Sequence, residues 1–136
     1  RIDIALAAEA DGVHLGLQDL PIAVGRKIAP ELILGASSHS VEEALAAQGA
    51  GADYVNIGPI FATQTKSVPT GPVGVDMIDA IVPHLTVPWT TMGGIKPENI
   101  HEVVQHGARR AAVVTAVTAA EEPGAAARAL RAALGA

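Results

Sequence analysis

Apolar positions fall in short runs, separated by polar or glycine-rich breaks, and the runs alternate in character. Residues 3–10 are Ala-rich, with Ile4, Leu6 and Ala7 to bury, which predicts a helix. Asp11-Gly12 breaks it, and Val13-His14-Leu15-Gly16 reads as a short strand. A helix is expected over Leu20–Ile28, then a strand over Leu32–Ala36 ending in Ser37-Ser38-His39. Ser40 opens the next helix, with Glu43 three residues on in the spacing of a capping box. That helix stops at Gly49-Ala50-Gly51. Tyr54 to Ile60, rich in β-branched and apolar residues, reads as a buried strand. A loop from Ala62 to Gly74 follows, and Val75–Val82 reads as a helix. Val87–Met92 is the next strand, closed by Gly93-Gly94. Lys96-Pro97-Glu98 opens a helix that ends at Gly107, with proline where its missing N–H costs nothing. Ala111–Thr115 is the fifth strand. The last helix, from Pro123 to Leu134, carries an apolar stripe of Ala126, Ala129, Leu130, Ala133 and Leu134.

Helix and strand alternate with no hairpin signal, which means a parallel sheet with crossover helices. Ala10-Asp11-Gly12-Val13 and Gly51-Ala52-Asp53-Tyr54-Val55 join helix to strand in one manner, and Gly107-Ala108-Arg109-Arg110-Ala111 does so with altered chemistry. Such repeats favour a (β/α)₈ barrel, of which about five βα units would be present; a closed barrel has eight and typically about 250 residues. The expected fold class is therefore α/β, an incomplete C-terminal portion of a TIM-type barrel, with residues 1–136 as one partial domain. A five-stranded doubly wound sheet of the flavodoxin or receiver type remains the alternative. The helix-first order fits a cut barrel better, and the absence of an initiator Met fits a chain cut from something longer.

Composition narrows the chemistry. Hydrophobic residues make up 49% of the 136 and aromatics only 2%, so the core must be aliphatic. The net charge of −5 without a basic stripe argues against a nucleic-acid partner. Without cysteine, disulfides are excluded and a cytoplasmic setting is natural. No apolar run approaches the roughly 18 residues of a membrane span, and the first residues lack a signal peptide's apolar stretch. Nothing in the chain fixes an oligomeric state.

Candidate chemistry sits at the strand ends, where parallel α/β proteins bind ligands. Thr63, Thr65 and Lys66 follow the central strand and offer two hydroxyls and a cation to a phosphate or pyrophosphate. Gly93-Gly94 could let a phosphate approach backbone N–H groups, with Val114-Thr115 completing that site. Asp19 could bind Mg²⁺; spacing alone favours an N-cap before Leu20-Pro21. Ser37 could donate to a phosphate or simply serve helix entry. His14 alternates with Gly12 and Gly16 on one strand face and reads as a hydrogen-bonded interior histidine. His101 and His106 are not spaced as a metal pair, and a zinc site is not expected.

Four stretches carry a resemblance: Asp11-Gly12-Val13-His14-Leu15-Gly16-Leu17-Gln18-Asp19-Leu20-Pro21, Gly35-Ala36-Ser37-Ser38-His39-Ser40, Gly58-Pro59-Ile60-Phe61-Ala62-Thr63-Gln64-Thr65-Lys66 and Gly93-Gly94-Ile95. In order and spacing they resemble thiamine phosphate synthase over nearly the whole chain. The resemblance implies a (β/α)₈ barrel and a transferase. Its small-molecule substrates would be an aminopyrimidine methyl diphosphate and a thiazole phosphate, its products thiamine phosphate and pyrophosphate, and its cofactor Mg²⁺. It implies Asp19 as one metal ligand, and Ser37 and Lys66 as catalytic residues on the diphosphate. It implies Thr63, Thr65, Gly94, Val114 and Thr115 as the holders of the thiazole phosphate. The family's early strands, with their Gln/Arg/Lys diphosphate segment, are absent, as is an Asn-Asp pair expected just before Arg1, so this piece alone is expected to be inactive. Arg109-Arg110 replaces a usual Asp-Gly at a helix–strand joint. A thiazole tautomerase-like isomerase on the same fold is the runner-up, and a non-catalytic phosphate-binding module the third reading.

Overall fold

The computed structural model describes residues 1–65 and 71–135. Helix α1 (Ile2–Ala7) leads into β1 (Gly12–Leu15), α2 (Ile22–Ile28), β2 (Ile33–Ser38), α3 (Val41–Gly49) and β3 (Tyr54–Ile57). Then come α4 (Asp76–Ile81) with a 3₁₀ turn at Val82–His84, β4 (Trp89–Met92), α5 (Ile100–Gln105), β5 (Ala111–Ala112), α6 (Thr115–Thr118) and α7 (Pro123–Ala133). The five strands are parallel and ordered β1-β2-β3-β4-β5. That sequential order is one turn of a singly wound sheet. It removes the receiver-type alternative, whose order reverses at a switch point. The sheet is a curled, open portion of a barrel.

Burial follows the strand alternation. Leu15, Leu34, Val55 and Ile57 face the helices and are at most 2% exposed. Two aliphatic clusters fill that side, as the scarcity of aromatics demands. Ile2, Leu15, Ile22, Ala29, Leu34 and Ala36 pack beneath α1 and α2. Val55, Ile57, Ile78, Ile81, Val103 and Leu130 belong to the larger cluster beneath α3, α4, α5 and α7. Of the predicted α7 stripe, Leu130 and Leu134 are buried while Ala129 and Ala133 are exposed. Ala126 is half-buried.

Several local expectations change. In α1 the buried residues are Ile2 and Ala5, whereas Ile4, Leu6 and Ala7 are exposed. The central strand ends at Ile57, and Gly58-Pro59, joined by a cis bond, starts the loop. The helix expected at Pro97 begins at Ile100, because Asn99 holds the approach in a turn: its Oδ1 accepts from Lys96 N–H at 2.8 Å and its Nδ2 donates to the Gly94 carbonyl at 2.9 Å. The fifth strand covers only Ala111–Ala112, and Thr115 is the first residue of α6. At α3, Ser40 Oγ accepts from Glu43 N–H at 3.2 Å, but Glu43 reaches back to His39 N–H, at 2.7 Å. Gly51 and Gly107 exit their helices at φ 95° and 87°, whereas Glu9 takes that conformation (φ 51°) at the first joint.

Candidate active site

Because all five strands run parallel, their carboxyl ends share one edge of the sheet. Of the predicted site residues among the described ones, Ser37 lies within β2, one residue from its end, and the others lie in the segments leaving that edge. Lys66 lies outside the described residues.

The loop after β3 and the turn after β4 are held side by side. Ile60 N–H donates to the Met92 carbonyl at 2.8 Å and Phe61 N–H to the Gly93 carbonyl at 3.0 Å. On the return, Val73 N–H donates to Pro59 O (2.8 Å) and Gly74 N–H to Ile60 O (3.1 Å), so both feet of the threonine loop are fixed. The closeness explains the glycine pair. Gly93 and Gly94 have φ 93° and 64°. A Cβ on Gly94 would sit 2.4 Å from the Ala62 carbonyl oxygen, and one on Gly93 2.5 Å from Pro59 Cα. Only glycine satisfies both the left-handed backbone and the contact. Thr63 is half-buried, and its Oγ1 accepts from Thr65 N–H at 3.2 Å, which leaves the Thr63 hydroxyl hydrogen to donate. Val114 and Thr115 are exposed at the start of α6.

Asp19 does not cap α2, whose N-cap is Pro21. Its Oδ2 instead accepts from Gly16 N–H at 2.7 Å, folding the carboxylate over the end of β1. Its other oxygen takes no hydrogen bond among the described residues. Also among these, no three His, Cys, Asp or Glu side chains gather as a metal cluster. Mg²⁺ is commonly held by only one or two carboxylates, with water and substrate phosphate oxygens filling the rest. An exposed carboxylate with a free oxygen at the strand edge fits one such position.

On the sheet face turned from the helices, three side chains join. His14 Nε2 lies 2.8 Å from Ser37 Oγ, and His14 Nδ1 lies 2.9 Å from the Tyr54 hydroxyl. The histidine is thus hydrogen-bonded as expected, though its ring stays open to solvent on the remaining side. Lost hydration lowers its pKa, and the Asp19 charge acts the other way. Partial burial raises the Tyr54 pKa. Tyr54 reaches His14 by lying over Gly35, where a Cβ would sit 2.1 Å from the ring. In the next layer Asn56 pairs in register with Ser37 and Thr90. It is 5% exposed, and its Oδ1 has no hydrogen-bond partner among the described residues.

Tyr54 and Asn56 were not singled out from the sequence. The period-two alternation that placed His14 between Gly12 and Gly16 puts Tyr54 and Asn56 on that same face once the register is known.

A parallel, singly wound sheet whose carboxyl edge carries a glycine turn, a hydroxyl loop and an exposed carboxylate is part of a (β/α) barrel, the class of fold that binds small molecules at that edge. The family described as thiamine monophosphate synthase matches residues 1–117. The chain belongs to that family. It is 48% identical over 132 residues to the thiamine-phosphate synthase of Chloroflexus aurantiacus, covering 97% of this chain and 61% of the relative. It is 45% identical over 135 residues to that of Shouchella clausii, covering 98% and 65%. The structure superposes on a thiamine phosphate pyrophosphorylase from Pyrococcus furiosus with a TM-score of 0.90 at 41% identity, covering 99% of this chain and 64% of that one. The chain therefore spans about six-tenths of the length of these relatives.

Proposed function

We propose that the full-length protein containing this chain joins an aminopyrimidine methyl diphosphate to a thiazole phosphate, releasing pyrophosphate and forming thiamine phosphate. The observation that carries this reading is the pairing of the Thr63 loop with the Gly93-Gly94 turn, through Ile60–Met92 and Phe61–Gly93. It sets hydroxyls and backbone N–H groups along one edge, which suits a phosphate monoester.

The reaction breaks a carbon–oxygen bond, and the electron pair leaves with pyrophosphate. The thiazole nitrogen supplies its own lone pair to the methylene carbon, so no general base is needed. Catalysis then consists of holding two anions in line and stabilising the charge that develops on the leaving group. Thr63, Thr65, Gly94, Val114 and Thr115 are assigned to the thiazole phosphate. Ser37 and Lys66 are assigned to the diphosphate, one as neutral donor and one as cation. Asp19 would supply one ligand to Mg²⁺, which when bound would supply positive charge to offset that of a departing pyrophosphate.

The test is turnover by the full-length protein given both substrates and Mg²⁺, followed as thiamine phosphate and pyrophosphate in equal amounts. Conversion of a thiazole phosphate isomer without the diphosphate, and no coupled product, would assign the protein to the tautomerase-like branch instead.

A further inference from the structure

Ser37 can help a leaving pyrophosphate only if its hydroxyl hydrogen points at the anion. A serine hydroxyl has one hydrogen and can accept from two donors. If that hydrogen went to His14 Nε2, Ser37 would face the diphosphate with lone pairs, and the contact would repel. The direction of the His14–Ser37 bond therefore decides what Ser37 does.

We propose that Tyr54 and His14 form a directional hydrogen-bond chain: Tyr54 O–H donates to His14 Nδ1, and His14 Nε2–H donates to Ser37 Oγ. The chain leaves the Ser37 hydrogen free to donate to the diphosphate. His14 and Tyr54 are positioning residues that act through Ser37. The inference rests on the synthase reading above.

Three observations carry it. The two distances, 2.9 Å and 2.8 Å, engage both ring nitrogens of one imidazole. A neutral imidazole has one donor and one acceptor, so fixing one end fixes the other. A phenol is the better donor of the two end groups, and its pKa is raised while that of His14 is lowered, which keeps both neutral near pH 7. Finally, the ring of Tyr54 can lie across β2 only because residue 35 is glycine, since a Cβ there would sit 2.1 Å from the ring. The sheet register pairs Gly35 with both His14 and Tyr54, so the glycine sits beneath the bond it permits.

The experiment has a structural arm and a kinetic arm, both on the full-length protein. Nitrogen-15 NMR of the ligand-free protein near pH 8 reads the His14 tautomer directly. The Nε2–H form is expected; the Nδ1–H form overturns the chain. The kinetic arm compares His14→Gln, whose amide nitrogen replaces Nε2, with His14→Asn, whose amide nitrogen falls nearer Nδ1. Gln is expected to retain most of kcat. Asn is expected to lose about tenfold in kcat, the scale of one neutral hydrogen bond, with little change in KM for the thiazole phosphate. Equal loss in the two variants, or none, overturns the proposal. Ser37→Ala separates this failure from that of the functional reading. If it loses on the order of 10²–10³ in rate while His14→Asn is normal, only the chain is wrong. If Ser37→Ala is fully active, the Ser37 assignment falls and the chain with it. If the unsubstituted protein makes no thiamine phosphate, the synthase reading falls, and the tautomer still decides the direction of the bonds.

Discussion

At the scale of single residues, charge and neutral donation separate cleanly. Asp19→Asn removes charge but keeps an oxygen able to accept from Gly16 N–H, the bond seen at 2.7 Å. The loop after β1 should therefore survive, and a melting curve should show little change. In the full-length protein the Mg²⁺ concentration for half-maximal turnover should rise strongly, because a carboxylate has become a neutral amide. An unchanged Mg²⁺ titration would return Asp19 to a structural role. Lys66→Ala should act on the other side of the same event. Loss of one preorganised charge-stabilising contact typically costs on the order of 10²–10³ in rate. Lys66→Arg should rescue poorly, since a planar fork does not replace a compact point charge. Thiazole phosphate binding measured without the diphosphate should barely move. Threonine-loop variants should show the converse, a binding loss with a smaller change in turnover. Normal turnover in Lys66→Ala would leave that lysine as a solvated loop residue.

At the scale of elements, the two ends of the sheet have different tasks. The carboxyl ends are joined by backbone contacts that leave no room for a Cβ. Gly94→Ala should force the Thr63 loop away from the β4 turn, since the obstacle is the Ala62 carbonyl oxygen rather than a mobile side chain. The expected result is weaker thiazole phosphate binding by titration calorimetry, with circular dichroism preserved. Equal affinity in Gly94→Ala would sever the loop from the site. The opposite ends are clamped by Arg26 on α2. Its guanidinium donates to the carbonyls of Pro30, Leu32 and Gly51, each at 2.9 Å, and to Asp53 at 2.5 Å. Burial pushes the Asp53 carboxyl up, but the Leu34 N–H and Arg26 outweigh it, and the net pKa is lowered. The unfolded chain then binds the proton more readily, so stability rises with pH across this titration. The contribution should be complete above the ordinary carboxylate value of about 3.9 and fade as pH falls through the lower folded value. Urea midpoints measured from pH 6 down to pH 2 should show that loss, and Asp53→Asn should lack the part due to this group. A parallel decline in both proteins would assign the acid sensitivity elsewhere.

Much of this element-scale picture could be read from the chain itself. Five strands at five apolar runs, the Ser40 cap and the glycine turn all follow from local chemistry that neighbours merely reinforce. What could not be read depends on which partner each side chain finds, near or far along the chain. Asn99 delays α5 by bonding back to Gly94, five residues earlier, and nothing in Lys96-Pro97-Glu98 announces it. Tyr54 looked like one more β-former until the register set it over Gly35 and against His14. Asp19 looked like a cap because capping residues and metal ligands share a chemistry. Only the position of its oxygens separates the two.

At the scale of the molecule, the sheet is open. β1 and β5 each pair on one side only, so each presents unpaired N–H and C=O groups along its free edge. The face carrying His14, Ser37, Tyr54 and Asn56 has no second layer of described residues, in contrast to the helix-covered face. Asn56 is the exception on this face: it is buried, and its amide oxygen has no hydrogen-bond partner among the described residues. In a closed barrel this face lines the interior, and strands across it would meet these side chains. The 136-residue chain purified by itself is therefore expected to make no thiamine phosphate above background with both substrates and Mg²⁺. Its free edges should also drive self-association, visible as a concentration-dependent mass in light scattering. A stronger version uses complementation. The chain co-expressed with a segment supplying the first three barrel strands of a relative should become monodisperse and active, since one addition closes both edges and completes the ligand set. Turnover by the isolated chain would mean that the five strands already hold both substrates, and would move the whole catalytic apparatus onto the residues named above.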